Sequence, residues 1–212
     1  MYKFFKRAFD FTSSLLLFIV VSPIFLIFAI LVRCKLGSPI FFKQVRTGRG
    51  GKQFSIVKFR TMTNETDENG KLLPNEKRLT KLGRFLRSSS LDELPELLNI
   101  IKGDMSVIGP RPLPPVYDEY YTEYEKDRFL VRGGLIPPEV LHDNVQPTWE
   151  EQFTYEVEYA RNLSFVMDMR ILIAVFKGLF SRYKKDYGEY SRRPLSEERK
   201  KNIEKEEVAE KK

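Results

Sequence analysis

The sequence predicts an α+β fold: a small mixed helical domain with one β-hairpin, on an N-terminal re-entrant membrane segment of the helix-break-helix type. Three observations carry this prediction. Residues 15–32 contain no charge, residues 39–60 hold two strand-like runs around a glycine-rich turn, and apolar residues recur at helical spacing over 91–101. A length of 212 residues allows about one ordinary domain with appendages. We therefore divide the chain into a membrane hairpin (1–35), a globular domain (36–183) and a charged tail (184–212).

The composition excludes several classes of protein and of site. A single cysteine, Cys34, excludes an internal disulfide, and one Cys with one His leaves too few ligands for a zinc or iron–sulfur site. Hydrolases that rely on a Cys–His or Ser–His pair would have to use His142. A net charge of +7 predicts an anionic partner, which is a nucleic acid, a phosphate-rich substrate or an anionic lipid.

The apolar segment 15–32 is just long enough to reach across a membrane. Its eighteen residues extend about 27 Å as a helix, against a hydrocarbon core of about 30 Å. A cleaved signal peptide needs small residues at its cleavage site, whereas Arg33, Cys34 and Lys35 follow here. The sequence therefore disfavours a signal peptide.

Two features oppose a straight transmembrane helix. Pro23, in the middle of the segment, has no N–H to donate to the carbonyl of Ile19, and its ring crowds that turn. Basic residues flank both ends of the segment, and the positive-inside rule assigns both ends to the cytoplasm. A helix that enters, bends at Ser22-Pro23 and leaves by the same face meets both constraints, with the Ser22 hydroxyl as a partner for the freed backbone. A straight span is the alternative.

The globular domain begins with a predicted β-hairpin. Residues 39–46 and 53–60 have strand composition, and the glycines of 47–51 supply the positive φ angles of a turn. A polar loop over 64–75 follows, and then the leucines of 77–87 recur on one helix face with basic residues on the other. This basic helix either packs on the core with a solvated face or lies on anionic lipid.

Two segments near the C-terminus differ sharply in composition. The apolar run 165–183 is predicted to pack in the core or to rest at the membrane surface, because Asp168 and Arg170 near its start argue against a second span. From residue 184 onward, 18 of 29 residues are charged, so we expect a solvated or partly helical tail without chemistry.

An acidic pair stands at the start of the helix predicted over 91–101. Ser90 and Glu93 have the spacing of a capping box, so Pro95 falls in or near the first turn. Asp92 and Glu93 would then lie at the positive end of a helix dipole, which favours their ionised forms. Acidic residues are also common caps, so this local pattern alone does not assign catalysis.

The residues around this pair suggest phosphate chemistry. Two adjacent carboxylates can act as nucleophile and as ligands of Mg²⁺, which takes one or two carboxylates plus substrate phosphates, with Asp104 as a further potential ligand. Arg111 lies between two prolines that fix the backbone, which suits bidentate phosphate recognition. Lys58 and Arg60, at the end of the second strand, supply two more cations. Together with the membrane segment, these groups predict phosphate chemistry on a lipid.

Four motifs follow one another along the chain. They are Lys58-Phe59-Arg60-Thr61-Met62, Ser90-Leu91-Asp92-Glu93-Leu94-Pro95-Glu96-Leu97, Asn99-Ile100-Ile101-Lys102-Gly103-Asp104-Met105-Ser106 and Gly109-Pro110-Arg111-Pro112-Leu113. In this order, and together with the break at Ser22-Pro23, the motifs resemble the bacterial sugar transferase family, that is, the monotopic polyprenol-phosphate phosphoglycosyl transferases. The resemblance covers about residues 1–113.

The resemblance implies a two-step exchange. Asp92 would attack the β-phosphate of a UDP-sugar and release UMP, and undecaprenyl phosphate would then displace the aspartate to give undecaprenyl-diphosphate-sugar. An ionised carboxylate is a suitable nucleophile for such covalent catalysis. The resemblance also implies Glu93 as the partner of Asp92, with Mg²⁺ held by both, and Lys58, Arg60 and Arg111 at the substrate phosphates.

The same resemblance implies where the protein acts and what it meets. It implies the cytoplasmic face of a bacterial inner membrane, with both ends of the hairpin in the cytoplasm. The implied partners are the UDP-sugar, undecaprenyl phosphate and membrane lipid, with no nucleic acid. The sugar, the glycan pathway and the oligomeric state stay open.

The resemblance weakens after residue 131. Residues 132–140 keep only the glycine and aliphatic positions of the family pattern, whereas Trp149, Tyr155 and Asp168 fit it again. His142 and Trp149 either face the nucleotide or belong to the core or its rim.

Three other functions fit parts of the sequence. A non-catalytic membrane scaffold explains the apolar segment, the charge and the tail, and it predicts no UMP release. A nucleic-acid binder explains the net charge of +7 and the 13% of aromatic residues, but no binding motif is present. A glycosyl transferase that moves only the sugar would release UDP instead of UMP.

Overall fold

The computed structural model describes residues 2–142, 147–181 and 193–200 as a mixed helix and sheet protein, with 3₁₀ turns between the main elements. Its helices are α1 (Tyr2–Leu36), α2 (Asn75–Arg78), α3 (Lys81–Ser88), α4 (Glu96–Lys102), α5 (Trp149–Arg161) and α6 (Phe165–Ser181). Its strands are β1 (Phe41–Thr47), β2 (Gln53–Phe59), β3 (Ser106–Ile108) and β4 (Gly134–Ile136). Strand β1 pairs with β2, and β3 pairs in parallel with β4.

The described chain divides into two compact units. The first unit takes the described residues of Met1–Lys6, Arg46–Phe54 and Met105–Lys212. The second unit takes Arg7–Val45 and Ser55–Asp104. The tip of the β1–β2 hairpin therefore belongs to the first unit, and its base belongs to the second.

Helix α1 is long, apolar and continuous. Within the described residues it is the one helix long and apolar enough to cross a membrane. Its exposed side chains include large apolar groups along most of its length: Phe4, Phe5, Phe9, Leu16, Leu17, Ile19, Val20, Ile24, Leu26, Ile27 and Ile30. Within the part of the chain that the structure describes, these side chains are not covered by a protein core, so lipid is the environment in which they would be stable.

The helix continues through Ser22-Pro23 without an interruption. The hydroxyl of Ser22 donates to the carbonyl of Ile19 over 2.8 Å, which is the acceptor that Pro23 leaves without its usual partner. This confirms the predicted role of the Ser22 hydroxyl. Because that hydroxyl replaces the missing backbone donor, the predicted division into two separate helices is not seen in α1.

The structure contains the predicted β-hairpin but divides the predicted basic helix in two. The hairpin is confirmed, with Gly50 at φ 66° and Gly51 at φ 73° in the turn. The single helix expected over 77–87 is instead divided into α2 and α3, because the Thr80 side chain accepts from the Gly83 N–H over 2.9 Å and starts α3. In the second unit α3 buries Leu86 against Val32 and Phe59, so it packs on a core by one face.

The first unit is built around α5 and α6. Thr148 and Glu151 form a capping box at the start of α5. Trp149 and Phe153 from this helix lie in one buried cluster with Leu113 and Tyr121, which supports the core interpretation of Trp149. Helix α6 places Ile171 in a second cluster but leaves Phe165, Val166, Ile173 and Phe176 exposed. The ring of His142 stacks on Tyr155 at 3.6 Å.

The beginning of α1 is held in the first unit by a buried polar network. Lys6 Nζ lies 2.8 Å from Asp168 Oδ2, and Tyr2 also donates to that oxygen. The Tyr159 hydroxyl contacts Asp168 Oδ1 at 2.7 Å and the Ile108 carbonyl at 3.1 Å. Lys6 therefore serves as an ion-pair partner in addition to its predicted place in the basic flank of the apolar segment.

Part of the predicted charged tail packs on the first unit. Leu195 is fully buried in the cluster of Trp149 and Phe153, and the Trp149 indole N–H donates to the Arg193 carbonyl over 3.1 Å. Arg199 pairs with Glu125 at 2.6 Å. The expected partly helical tail agrees with residues 195–200, which are helical. The expectation that this composition buries no core residue is wrong for Leu195, because an average over a charged segment hides one well-placed leucine. Residues 184–192 and 201–212 of that tail lie outside the described residues.

Candidate active site

The acidic pair lies on a 3₁₀ turn that precedes α4. Ser90 has left-handed backbone angles (φ 56°, ψ 17°), and Leu91–Glu93 then form the turn. The predicted capping box of Ser90 and Glu93 is wrong, because the Ser90 side chain makes no capping hydrogen bond. Pro95 explains the difference: it has no N–H for the Leu91 carbonyl, so the Leu94 N–H bonds that carbonyl instead and α4 begins only at Glu96.

Asp92 is a buried carboxylate, with 9% of the residue exposed. Burial raises the pKa of Asp92 above its ordinary value of 3.8. The charge of Lys58 opposes that rise in pKa, the neighbouring Glu93 adds to it, and Arg87 opposes it. The side chain is thus a carboxylate of increased basicity that still has two cations nearby to favour ionisation.

Lys58 joins the hairpin to two carboxylates of the acidic segment. Its Nζ lies 2.6 Å from Glu93 Oε1 and 3.2 Å from Glu96 Oε1, and Glu96 is almost fully buried. Lys58 thus has two carboxylate partners and also acts electrostatically on Asp92. The structure therefore brings together three of the predicted site residues, Lys58, Asp92 and Glu93, within the second unit.

The buried amide of Asn99 fixes α4 against the edge of β2. Asn99 Nδ2 donates to the Ser55 carbonyl over 2.7 Å, and the Val57 N–H donates to Asn99 Oδ1 over 3.1 Å. The amide therefore satisfies two backbone groups of the strand that carries Lys58. This connection sets the position of Lys58 relative to the turn that carries Asp92.

Arg60 has partners of a different kind. Its guanidinium donates to the carbonyls of Ser38, over 2.9 Å, and of Leu36, the last residue of α1. Burial lowers the pKa of Arg60, and the nearby Arg33 lowers it further. These bonds place a cation at the C-terminal end of α1, where free carbonyls need donors. A role at the substrate phosphate stays a prediction for Arg60.

Arg111 belongs to the first unit, where its main chain is bound on both sides. Its N–H donates to Glu156 Oε1 over 2.9 Å, and its carbonyl accepts from Arg128 Nη2 over 2.6 Å. The residue itself is exposed. Buried side chains therefore hold the main chain of Arg111 in addition to the flanking prolines, and its role at a substrate phosphate stays a prediction.

Asp92 and Glu93 are the side chains that could hold Mg²⁺, and they form no closed cage. Among the described residues no group of three or more His, Cys, Asp or Glu side chains is arranged to hold a metal. Mg²⁺ usually takes only one or two protein carboxylates and completes its shell with water and substrate phosphate. Asp92 and Glu93 fit that pattern, because a cation beside the buried Asp92 would offset the rise in its pKa. Asp104, the further candidate ligand, forms an ion pair with Lys102, with 3.0 Å between Asp104 Oδ2 and Lys102 Nζ.

Three residues of this site were not predicted from the sequence. Arg87 belongs to the site because its charge lowers the pKa of Asp92, and Glu96 because it pairs with Lys58. Asn99 belongs to it through its two hydrogen bonds to β2. Glu96 and Asn99 stand within the motifs quoted above, and their three-residue spacing on α4 places them on the same side of a helix. That spacing is the sequence signal that could have found them.

Known proteins resemble this chain over most of its length. The family model described as bacterial sugar transferase matches residues 1–182. A Bacillus subtilis (strain 168) protein named uncharacterized sugar transferase EpsL is 48% identical over 79% of this chain and 83% of its own length. The exopolysaccharide production protein PSS of Rhizobium leguminosarum bv. phaseoli is 36% identical over 79% of this chain and 90% of its own length.

Some relatives are considerably longer than this chain. The UDP-glucose:undecaprenyl-phosphate glucose-1-phosphate transferase of Klebsiella pneumoniae is 35% identical over 84% of this chain, and this match spans 41% of that protein. The match with the Escherichia coli (strain K12) protein of the same name likewise spans 40% of its length, at 32% identity. The similarity to these two proteins therefore concerns a part of each of them.

Proposed function

Since the chain belongs to the bacterial sugar transferase family, we propose that it transfers a phosphosugar from a UDP-sugar to undecaprenyl phosphate, through a covalent intermediate on Asp92. Membership in the family makes it an enzyme of the sugar-phosphate transferase type. The substrates follow from the names of the Klebsiella and Escherichia relatives. The step would begin the assembly of a polysaccharide or of the glycan of a glycoprotein.

In the first half-reaction the Asp92 carboxylate attacks the β-phosphorus of the UDP-sugar. An oxygen–phosphorus bond forms to Asp92 as the bond from that phosphorus to the bridging oxygen breaks, and UMP leaves. In the second half-reaction a phosphate oxygen of undecaprenyl phosphate attacks the same phosphorus, and Asp92 leaves as a carboxylate. The acceptor is already an anion near neutral pH, so this step needs no strong general base.

The cations of the site would bind the charged groups of the substrates. The charges of Lys58 and Arg87 both lower the pKa of Asp92. The main chain of Arg111 is held by hydrogen bonds in the first unit. We assign Lys58 and Arg111 to substrate phosphates, with Arg60 as a further predicted phosphate ligand. Such fixed cations stabilise charge that develops on the transferred phosphoryl group.

Mg²⁺ is the proposed cofactor, and Asp92 and Glu93 would hold it together with substrate phosphate. When bound, it would neutralise charge on the diphosphate and favour departure of UMP. Glu93 also accepts from Lys58, so it connects the proposed metal site to the cation of the hairpin.

One observation carries this proposal: a buried aspartate of raised pKa lies beside Glu93 and under the influence of Lys58 and Arg87. A carboxylate that only capped a helix would accept hydrogen bonds from the first turn of that helix. The described contacts of Asp92 are instead electrostatic ones with the cations and with Glu93, apart from a bond to its own backbone.

The first experiment measures nucleotide release from a panel of UDP-sugars with undecaprenyl phosphate and Mg²⁺. We expect UMP from the wild type and from Glu76→Gln, an exposed acid of the same unit, and none from the isosteric Asp92→Asn. Without the lipid acceptor, the mass of the intact wild-type protein should increase by one phosphosugar. Release of UDP would mean transfer of the sugar alone, and equal UMP release by Asp92→Asn would exclude the covalent role.

We also propose that the apolar part of α1 enters and leaves the membrane by the cytoplasmic face. Arg7, near the start of α1, donates to the carbonyls of Ile100 and Ile101 over 2.6 and 2.8 Å, and Val32, near its end, is buried against Phe59. Arg7, which precedes the apolar segment, and Val32, at its end, thus both contact other residues of the second unit. A straight helix from Arg7 to Val32 would rise about 38 Å, more than the hydrocarbon core of a bilayer.

The ring pair of Phe18 and Phe25 supports a bend between these two ends. The ring centroids are 5.4 Å apart, whereas seven residues of straight helix rise about 10.5 Å. By the 3.6-residue period of a helix, positions 18 and 25 fall on the side of α1 away from Pro23, which is the concave side when a proline bends a helix.

Cysteine labelling distinguishes the two courses of α1. Cys34→Ser removes the only cysteine of the sequence, and single cysteines are then placed at Lys3 and at Glu68. In spheroplasts, we expect a membrane-impermeant maleimide to label neither site until the membrane is permeabilised. Labelling of the Lys3 site alone in intact spheroplasts would establish a straight span.

A further inference from the structure

Arg128 and Glu156 form an ion pair that is closed off from solvent in the first unit. Their side chains are 2% and 0% exposed, and Arg128 Nε donates to Glu156 Oε2 over 2.7 Å. The rings of Tyr121, Phe129 and Phe153 lie around the guanidinium, with centroids 5.2 to 5.4 Å from its central carbon. The desolvation of two such charges costs about as much as their attraction returns, so stability is a weak reason for a buried pair.

Both members of the pair form hydrogen bonds with the main chain of Arg111. Arg128 Nη2 donates to the Arg111 carbonyl over 2.6 Å, and the Arg111 N–H donates to Glu156 Oε1 over 2.9 Å. Arg128 comes from the 3₁₀ segment Glu125–Leu130, and Glu156 comes from α5. Side chains from two different elements thus bind the main-chain N–H and carbonyl of Arg111.

The neighbours of Arg111 are held by other contacts. The Gly109 N–H donates to the Ile136 carbonyl over 3.1 Å, and the Gly134 N–H donates to the Pro110 carbonyl over 2.9 Å. A Cβ at Gly133 would lie 2.4 Å from Pro112 Cγ, so glycine is needed there for the close approach. These contacts fix the flanks of the segment without Arg128 and Glu156. The pair bonds the main chain of Arg111 and, in addition, the Tyr121 hydroxyl and the Gln152 amide.

We propose that Arg128 and Glu156 are positioning residues that orient the Arg111 guanidinium for a substrate phosphate. This inference rests on the proposed function, in which Arg111 binds that phosphate. A fixed main chain leaves only side-chain rotation to be ordered on binding, which lowers the entropic cost of the phosphate contact. Displacement of such a group by about 1 Å can reduce rates by about 100-fold.

The test replaces both charges at once. Arg128→Met with Glu156→Leu removes both bonds to Arg111 and leaves no unpaired buried charge behind. We expect a lower melting temperature, because the Tyr121 hydroxyl and the Gln152 amide also lose a partner, and a loss of about 10- to 100-fold in kcat/KM for the UDP-sugar. The milder Arg128→Lys keeps a charge beside Glu156 but lacks the guanidinium fork, and it tests the bond to the Arg111 carbonyl if the double variant does not fold.

A second background separates positioning from general damage. In Arg111→Gln, the pair replacement should cause no additional loss of kcat/KM, because its effect passes through the Arg111 side chain. The same fold-loss in both backgrounds would show a structural role and overturn the proposal. The same comparison applies to Arg128→Lys.

A matched control uses the exposed pair of Asp127 and Arg161, which joins the same 3₁₀ segment to α5 at 2.6 Å. Asp127→Asn with Arg161→Gln should leave kcat/KM unchanged. If Arg111→Gln itself retains wild-type kcat/KM, the assignment of Arg111 in the proposed function fails. If Arg111→Gln is impaired and the folded pair variants are not, only the positioning proposal fails.

Discussion

Lys58 Nζ lies 2.6 Å from Glu93 Oε1, although the two residues are 35 positions apart in the chain. The contact connects the base of the β-hairpin to the turn that carries Asp92. Lys58 also lowers the pKa of Asp92, against the upward effects of burial and of Glu93. One cation therefore balances the charge of an acidic cluster and keeps its buried member ionisable.

Removal of the Lys58 charge should move the pH dependence of the reaction. An aspartate of raised pKa is ionised only above that pKa, so activity is lost as the pH falls through it. Lys58→Met should shift the acid limb of kcat/KM upward by about one pH unit, the size of effect that one nearby charge produces. Arg87→Gln should give a smaller upward shift, because Arg87 is the weaker of the two influences on the pKa of Asp92.

Lys43→Met is the matched control, since Lys43 is exposed on the paired strand β1. Its pH profile for UMP release should coincide with that of the wild type. An acid limb unchanged by Lys58→Met, with only the rate reduced, would show that Lys58 binds substrate without setting the ionisation of Asp92.

The Asn99 amide makes a second testable connection, between α4 and β2. Asn99→Asp retains the acceptor for the Val57 N–H but offers a donor to the Ser55 carbonyl only when protonated. The pKa of the new carboxyl should therefore be raised by the fold. Its contribution to stability is present at low pH and is lost as the pH rises through that pKa.

The measurement is the difference in melting temperature between Asn99→Asp and the wild type from pH 4 to pH 8. We expect the difference to grow with pH, and Asn99→Leu should be less stable at every pH by about 1–3 kcal/mol per unpaired backbone group. A pH-independent difference for Asn99→Asp would contradict the two-bond role of the amide.

The sequence predicted those parts of the site that depend on local chemistry. The positive φ of Gly50 follows from residue type, and an ordered motif points to Asp92 and Glu93, whose catalytic roles stay predictions. The predicted capping box is wrong because Pro95 has no N–H for the Leu91 carbonyl. Helix α4 therefore begins at Glu96, and Ser90 does not cap it. Local propensity cannot anticipate such a competition between neighbouring signals.

Sequence patterns did not predict the contacts between residues that are distant in the chain. Arg128 and Glu156 meet because a 3₁₀ segment packs on α5, and nothing in the spacing of the two residues indicates it. Leu195 enters a core from a segment whose composition is typical of a solvated tail. In both cases tertiary packing selects one residue from a stretch whose average properties suggest exposure.

Glu139 should make the stability of the first unit dependent on pH. Burial, and next the nearby Glu156, raise the pKa of Glu139 from 4.5 to about 8, and Glu139 Oε2 is buried without a hydrogen-bond partner among the described residues. A carboxyl with a raised pKa in the folded state stabilises the protein at low pH, and that stabilisation is lost as the pH rises from about 4.5 to about 8. Glu139→Gln should remove this decline.

Melting temperatures between pH 5 and pH 9 test this. Glu139→Gln should be more stable than the wild type by about 1–3 kcal/mol at pH 9 and nearly equal to it at pH 5. Glu158→Gln, on the exposed face of α5, is the control and should follow the wild type at every pH. A parallel decline in the wild type and Glu139→Gln would assign the pH dependence to other groups.

Ser90 precedes the acidic turn with a backbone conformation that favours glycine. It is the one non-glycine residue of the described chain with a positive φ, at 56°. Left-handed backbone costs an L-residue about 1–2 kcal/mol, and a β-branched side chain tolerates it poorly. Ser90→Gly should therefore be at least as stable as the wild type, whereas Ser90→Val should lose about 1–2 kcal/mol of unfolding free energy.

Activity gives the second readout for this series. Because Asp92 stands two residues after Ser90 on the same turn, a shift of that turn in Ser90→Val should lower kcat for UMP release, while Ser90→Gly retains it. Ser88→Val, at the helical end of α3, introduces the same side chain where φ is not positive and should leave kcat near the wild-type value. Equal losses in Ser88→Val and Ser90→Val would show that the added valine, and not the left-handed backbone, disturbs the site.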